Sequence, residues 1–375
     1  MTLSLQDPVA LTQHLVRANT INPPGNEAGL AACLGEMLAA MGLVTIIQPL
    51  APERANLVAW NEGVTGPRLC FTGHLDTVPL GSAPWTQDPF GAEVIDGRLY
   101  GRGSSDMKSG IAAFLSALRN FHAEFGSLPP VVVVLTAGEE TGCEGAKRLS
   151  ETSVGALDVG ALIVGEPTSG QCMVGHKGAL WLKAETSGKT AHGAMPEFGD
   201  NAIYHAVDAI QKLRKFDFRI PSDPLLGDPT LNVGTIAGGR NVNSVPDSTA
   251  FDIDVRTVCG LEHDELSSRL GAYLGDKVKL RVSVDVPALS NDLNNPWIHR
   301  VAAVVESVTG ELFRQRTVAF FSDGPVLRQL FGEIPAVVLG PGEPSCAHKT
   351  DEWCSVERIH QCAAIYSKLL KDWKS

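Results

Sequence analysis

A chain of 375 residues, at about 150 residues per domain, predicts two domains, one of them larger than or interrupted by the other. Hydrophobic residues at 44% and charged residues at 19% describe an ordinary globular protein and exclude disordered and collagen-like chains. The 31 Lys and Arg against 42 Asp and Glu give a net charge of −11, which offers little to a phosphate-tracking surface, so nucleic acid is not expected as a partner.

Met1 to Asp7 carries neither a basic leader nor an apolar core of signal-peptide length, and no stretch approaches the ~18 apolar residues of a membrane span. A cytoplasmic protein without a membrane partner is expected. Asp7-Pro8 predicts an N-cap with Pro at the first helical position, Leu11, Leu15 and Val16 supply the apolar face, and Pro23-Pro24-Gly25 is the expected stop. A second helix is predicted from about Glu27 to Met41, closed by Gly42. Four short apolar runs then lead into polar loops: Arg68–Thr72 before Gly73-His74, Val131–Leu135 before Glu139-Glu140, Ala161–Val164 before Gly165-Glu166, and Ala336–Leu339 near the C-terminus. With helical stretches such as Ile111 to Phe121 between them, they predict buried parallel strands of an α/β sheet.

From about Gly178 to Leu289 the texture changes to alternating strands, Leu180–Thr186 and Ala250–Arg256 among them, with helices at about Asn201 to Lys215 and His263 to Leu274. Strand, helix, strand, strand, helix, strand is the order of a ferredoxin-like α+β module. The expected division is therefore a discontinuous larger domain, 1–177 with 290–375, interrupted by a small inserted domain, 178–289. The eight cysteines are scattered with no C-x-x-C pair, which fits buried thiols in a reducing compartment.

In an open α/β sheet, function collects in the crevice beyond the carboxyl ends of the strands. His74 and Asp76 follow one predicted strand, Glu139 and Glu140 a second, Glu166 a third, and His348 the loop after a fourth. Asp106 sits in the Gly-rich loop Tyr100–Gly110 that enters a helix. Such loops also bind phosphate, but an Asp at the tip repels it, so a metal-ligand role is expected. Each residue alone is ordinary. Five carboxylates gathered beyond strand ends repel one another unless cations neutralise them, and His/Asp/Glu ligation with no thiolate suits zinc or cobalt in a catalytic site. Two metals roughly 3.5 to 4 Å apart could share one bridging carboxylate.

His74-Leu-Asp76-Thr-Val-Pro79, Gly101-Arg-Gly-Ser-Ser-Asp106-Met-Lys108, Gly138-Glu139-Glu140, Gly165-Glu166-Pro167-Thr168 and Ala347-His348-Lys-Thr-Asp351-Glu352 resemble the dinuclear zinc family of acetylornithine deacetylase, succinyl-diaminopimelate desuccinylase, aminoacylase and carboxypeptidase G. The resemblance covers nearly the whole chain. It implies a zinc-peptidase-like catalytic domain, with helices around a mostly parallel mixed sheet, and an inserted ferredoxin-like lid and dimerisation domain. It also implies two Zn2+ per chain, which Co2+ could replace: His74, Asp106 and Glu166 on one, Asp106, Glu140 and His348 on the other, Asp106 bridging. Asp76 is expected to accept the second N–H of His74 and fix its tautomer. Glu139, beside a ligand but free, is the implied general base and acid.

In the insert, Gly188-Lys-Thr-Ala-His192-Gly-Ala-Met-Pro196 resembles the family motif whose His reaches the other subunit's site in a homodimer and stabilises the oxyanion. Gly238–Pro246, with Asn243, and Asp254-Val-Arg256 resemble its substrate-carboxylate clamp, for which a guanidinium is suited; a structural ion pair for Arg256 is the rival reading. The implied activity is metal-dependent hydrolysis of the acyl amide of an N-acyl amino acid. Leu339-Gly-Pro-Gly342 and His176-Lys-Gly178 lean toward acetylornithine deacetylase, Ser322-Asp-Gly324 and Asn243–Pro246 toward the desuccinylase, with a carboxypeptidase or dipeptidase third. An inactive binding or regulatory relative is the remaining alternative, and the presence of all five ligands with Glu139 speaks against it.

Overall fold

Asp7 caps the first helix as its sequence predicts: its side chain accepts the main-chain N–H of Val9, and Pro8 opens the helix Pro8–Arg17. This helix stops earlier than the Pro23-Pro24 pair. Ala18 is already extended, and the chain beyond it joins the sheet side, where Thr20 Oγ1 donates to the Leu75 carbonyl and the Asn22 N–H to that of Thr77. The computed structural model describes residues 6–314 and 316–373; most of the amino-terminal stretch read for a leader lies outside them. No helix among the described residues is long and apolar enough to cross a membrane.

The described chain divides into two compact units. One holds the residues up to Gly175, Asn291–Val318 and those from Ser322 onward; the other is His176–Ser290 with Ala319–Phe321. The first unit is built on a six-stranded sheet in the order Val44–Ala51, Arg54–Trp60, Val131–Thr136, Arg68–His74, Val159–Val164, Ala336–Val338. The last four strands pair in parallel, and the first two form an antiparallel hairpin at one edge. The mostly parallel strands arise where buried runs such as Val131–Thr136 leave no polar face to solvate. The edge hairpin was not legible, since Val44–Ala51 contains Gln48 and Pro49 and only half buries itself. Helices Ser109–Phe125 and Val356–Trp373 cover this sheet through an aromatic core in which Phe71 stacks on Phe114 at 4.2 Å and Tyr366 meets both edge-on. The buried Tyr366 hydroxyl donates to the Leu339 carbonyl, which fixes the exit of the last strand.

The second unit has the expected element order. Its antiparallel sheet runs Thr230–Gly238, Ser248–Thr257, Gly178–Ser187, Val278–Val286, with helices Ala202–Leu213 and His263–Leu274. Strict alternation places Leu180, Leu182, Phe251, Ile253 and Val255 in a core with Leu266 and Leu270.

Candidate metal centre

Five main-chain segments of the first unit bring the predicted ligands together. His74 ends the strand Arg68–His74 and pairs in register with Thr136, so the loop carrying Glu139 and Glu140 starts alongside it. On the other side Val159–Val164 runs into Gly165 and Glu166. Asp106 lies in the turn before the helix Ser109–Phe125, and His348 in the loop after Ala336–Val338. The segments approach too closely for side chains between them: a Cβ on Gly110 or Gly340 would stand 2.1 or 2.2 Å from the Gly165 carbonyl oxygen. Those glycines let three ligand-bearing segments share one backbone junction.

The Asp106 carboxylate points its two oxygens in two directions. Oδ1 lies 3.1 Å from His74 Nε2, and Oδ2 lies 3.2 Å from His348 Nε2. Glu166 Oε1 is 3.7 Å from the first imidazole, and Glu140 Oε2 is 3.1 Å from the second. Donor atoms of His74, Asp106 and Glu140 fall within 4.8 Å of one another, as do those of His74, Glu139 and Glu166. The first imidazole is buried; the His348 side chain, on a residue with φ 63°, is 54% exposed.

Asp76 acts differently from its expected role. His74 Nδ1 faces the main-chain carbonyl of Asp76 at 2.8 Å, with the nearer carboxylate oxygen at 3.7 Å. The carboxylate is engaged elsewhere: it accepts the N–H groups of Glu139 and Glu140, at 3.2 and 3.3 Å, and the Asn22 amide at 2.9 Å. It therefore holds the Glu139-Glu140 loop, while its own carbonyl sets the His74 tautomer, with the Nε2 lone pair turned to the other ligands. Asn22, and Glu352, which accepts the Asp106 N–H at 3.0 Å, went unassigned in the sequence. Glu352 ends the Ala347–Glu352 motif, but nothing in a sequence separates a buried carboxylate from a solvated one.

Burial and then Glu166 push the Glu139 carboxyl well above its ordinary range, and burial and then Asp106 do the same to Glu166 and, less strongly, to Glu140. Burial acts against ionisation of Asp106 too, but hydrogen bonds from His348 and His74 hold it below the ordinary range. Its partner His348 is pushed up to about 10 by Asp106 and then Glu140. Glu139 Oε1 and Glu140 Oε1 are buried without a hydrogen-bond partner. Orphaned carboxylate oxygens around two imidazoles, with no thiolate, are a donor set that borderline divalent cations satisfy, so the residues present fit a metal pair.

His192, Asn243 and Arg256 belong to the second unit. His192 is exposed; its Nδ1 accepts the Ala194 N–H at 3.1 Å, and the main chain of Gly193 donates to that of Asn243 at 2.7 Å, which sets the two predicted segments side by side. Arg256 pairs through Nε with the Asp254 carboxylate at 3.0 Å, the ion pair that was its rival reading.

A sequence profile described as Peptidase family M20/M25/M40 matches residues 70–372. Among curated relatives, an acetylornithine deacetylase of Proteus mirabilis is 32% identical over 93% of this chain and 90% of its own length. A succinyl-diaminopimelate desuccinylase of Rhodospirillum centenum is 31% identical over 98% of this chain and 97% of its own. The fold is also that of an M20 family metallo-carboxypeptidase from Sulfolobus solfataricus, with TM-score 0.81 at 18% identity, covering 98% of this chain and 99% of that one. A match over both catalytic segments and the insert, joined to relatives above 30% identity along almost their entire length, makes this chain a member of peptidase family M20/M25/M40.

Proposed function

We propose that the chain is a dinuclear zinc amidohydrolase that removes the N-acyl group of an N-acyl amino acid, with acetylornithine the first candidate substrate. The relatives named for acetylornithine and for succinyl-diaminopimelate stand at 32% and 31% identity, so the desuccinylase is the second candidate and a carboxypeptidase or dipeptidase the third. The family acts on amide bonds. One observation carries the reading: a single carboxylate, Asp106, turns one oxygen to each of two imidazoles, each flanked by a further carboxylate.

In this reading His74, Asp106 and Glu166 hold one zinc, and Asp106, Glu140 and His348 the other. When bound, the metal pair makes water nucleophilic at neutral pH and polarises the scissile carbonyl. Glu139 is the base: with its main-chain N–H fixed by Asp76 and Oε1 unpartnered, it takes the attacking water's proton and returns it to the leaving nitrogen. A carboxyl buried and crowded by Glu166 has the raised proton affinity that this shuttle needs. His192 accepts the Ala194 N–H on Nδ1, so the neutral ring carries its proton on Nε2 and presents a donor suited to an oxyanion. Arg256, whose Nε holds Asp254, offers its Nη groups to a substrate carboxylate, with Asn243 beside the His192 loop as a further contact.

A homodimer through the inserted unit is part of the proposal. The edge strand Thr230–Gly238 is largely exposed, as are Tyr204, Val207, Ile236 and Val242, an open strand edge and apolar groups that a two-fold pairing would cover. A cytoplasmic home is supported by the free thiols, five of them buried. The test is a hydrolysis panel of N-acetylornithine, N-succinyl-diaminopimelate and N-acyl dipeptides with zinc supplied. Turnover of the first at the highest kcat/KM is expected; no amide turnover by a protein holding two zinc ions refutes the reading.

A further inference from the structure

Asp106 lies inside a short π-helical turn, Ser104–Lys108, whose backbone is not helical at Asp106 itself. Its φ and ψ of −119° and 96° lie outside the helix that begins at Ser109, so its N–H has no helical acceptor. The acceptor is Glu352. One oxygen, Oε1, takes the N–H of Ser105 at 2.8 Å and of Asp106 at 3.0 Å, while Oε2 pairs with Arg102 Nη1. Both partners of that ion pair are essentially inaccessible, Glu352 at 0% and Arg102 at 1% exposure. Removing either charge alone would leave the other buried and unpaired. Arg102 is fixed in turn by the Pro79 carbonyl at 3.0 Å and by the Trp85 ring.

The stretch from Glu343 to Trp353 grips the turn at four further points. Ser105 Oγ donates to the Trp353 carbonyl at 2.7 Å and accepts the Glu343 N–H at 2.8 Å. The main chain of Glu352 accepts from Gly101 at 2.9 Å, and Trp353 pairs with Tyr100. Glu343 and Glu352 bracket His348 in sequence. The loop that supplies one imidazole therefore also dictates where the carboxylate shared between both imidazoles points.

We propose that Glu352 is a positioning residue for Asp106. By accepting two consecutive main-chain N–H groups on one oxygen it sets the direction of the bridging carboxylate and ties it to the His348 loop, with Arg102 holding Glu352 in place. This rests on Asp106 being a metal ligand. Groups that orient metal ligands typically contribute about 10- to 100-fold in metal affinity, and that is the effect expected here.

Two double variants of the full chain separate the hydrogen-bond acceptor from the ion pair. Arg102→Met with Glu352→Gln removes both charges and keeps an acceptor oxygen; Arg102→Met with Glu352→Met removes both charges and the acceptor at nearly the same volume. Cobalt affinity, by competition with a chelator, and the visible spectrum of the cobalt-loaded protein are read for each. The Gln pair is expected to stay near wild type, and the Met pair to bind cobalt roughly 10- to 100-fold more weakly with an altered spectrum. Equal affinity and identical spectra for the two pairs overturn the proposal. If the Met pair does not fold, Glu352→Asp replaces it: the charge remains but the oxygen is withdrawn by one methylene, and unchanged affinity and spectrum overturn the proposal equally. Wild-type protein that binds no cobalt at all would instead refute the metal-centre reading beneath it, a distinct result.

Discussion

Glu139→Gln exchanges a carboxylate for an amide of the same shape at a residue only 4% exposed. The main chain should not move, because its N–H stays on Asp76 Oδ1 at 3.2 Å. What disappears is the group proposed to carry the proton, and general acid and base groups contribute about 10²- to 10⁴-fold. At 1.36 kcal/mol per tenfold this is about 3 to 5 kcal/mol of transition-state stabilisation. The five proposed ligands are untouched, so zinc content should remain two per chain. Without metal the variant should be more stable than wild type at pH 7. The Glu139 carboxyl is held well above its ordinary range, so its ionised form is disfavoured in the folded chain once pH exceeds the unfolded value of 4.5, and the amide removes that penalty. Steady-state kcat on the best substrate of the panel, zinc by atomic absorption and the thermal midpoint of the metal-free protein measure all three. Loss of zinc would refute the reasoning, since His74, Glu139 and Glu166 also bring donor atoms within 4.8 Å and Glu139 would then be a ligand in place of Glu140. An unchanged kcat would remove it from the chemistry.

Chelation should abolish turnover, with zinc or cobalt restoring it, and Asp106→Asn should lose metal from both sites because each imidazole faces one of its oxygens; full activity in demonstrably metal-free protein would contradict this. His176 is fully buried, and burial holds its imidazole at about 4, below the ordinary 6.5. The unfolded chain therefore takes up the proton first, and stability should fall as pH drops below about 6.5, by roughly 3 kcal/mol by pH 4; His176→Gln should flatten that slope in urea titrations at pH 7 and 4.5. If His192 serves the partner's site, mixing His192→Ala with Glu139→Ala chains should raise activity toward about a quarter of wild type, since half the random dimers regain one of two sites. A mixture no more active than its parents, with subunit exchange verified, would place His192 in its own subunit's site or outside catalysis.

The four buried strands and the ferredoxin-like insert were legible because burial on two faces and on one face write different patterns, continuous in Val131–Thr136 and alternating in Ser248–Thr257. The hairpin Val44–Trp60 was not, because an edge strand with one poorly covered face has neither signature. At the site, residue types and their places after strands gave the six clustered groups. Sequence spacing could not give the hydrogen-bond partner of His74. Asp76 offers a carbonyl and a carboxylate two residues away, and the choice depends on the N–H groups of Glu139 and Glu140, which the fold brings from over 60 positions along the chain. Glu352 was hidden for the same reason: its acceptors' partners lie some 250 residues upstream.

The cluster also shows why a fold would carry such a conflict. Asp106, Glu139, Glu140 and Glu166 crowd around two imidazoles, and three of the four carboxyls are driven above their ordinary range by burial and mutual repulsion. Nothing local in the sequence favours that assembly; it is imposed by parallel strand ends and by glycine contacts at Gly110 and Gly340 that admit no side chain. A rigid frame prevents the carboxylates from relaxing apart, so their repulsion is relieved by cations rather than by movement. Ligands already held at 3.1 to 3.2 Å from their imidazole partners lose little freedom when a metal enters. Free metal should accordingly raise the thermal midpoint in a concentration-dependent way, by about 2.7 kcal/mol of stability per site at a hundred times its dissociation constant.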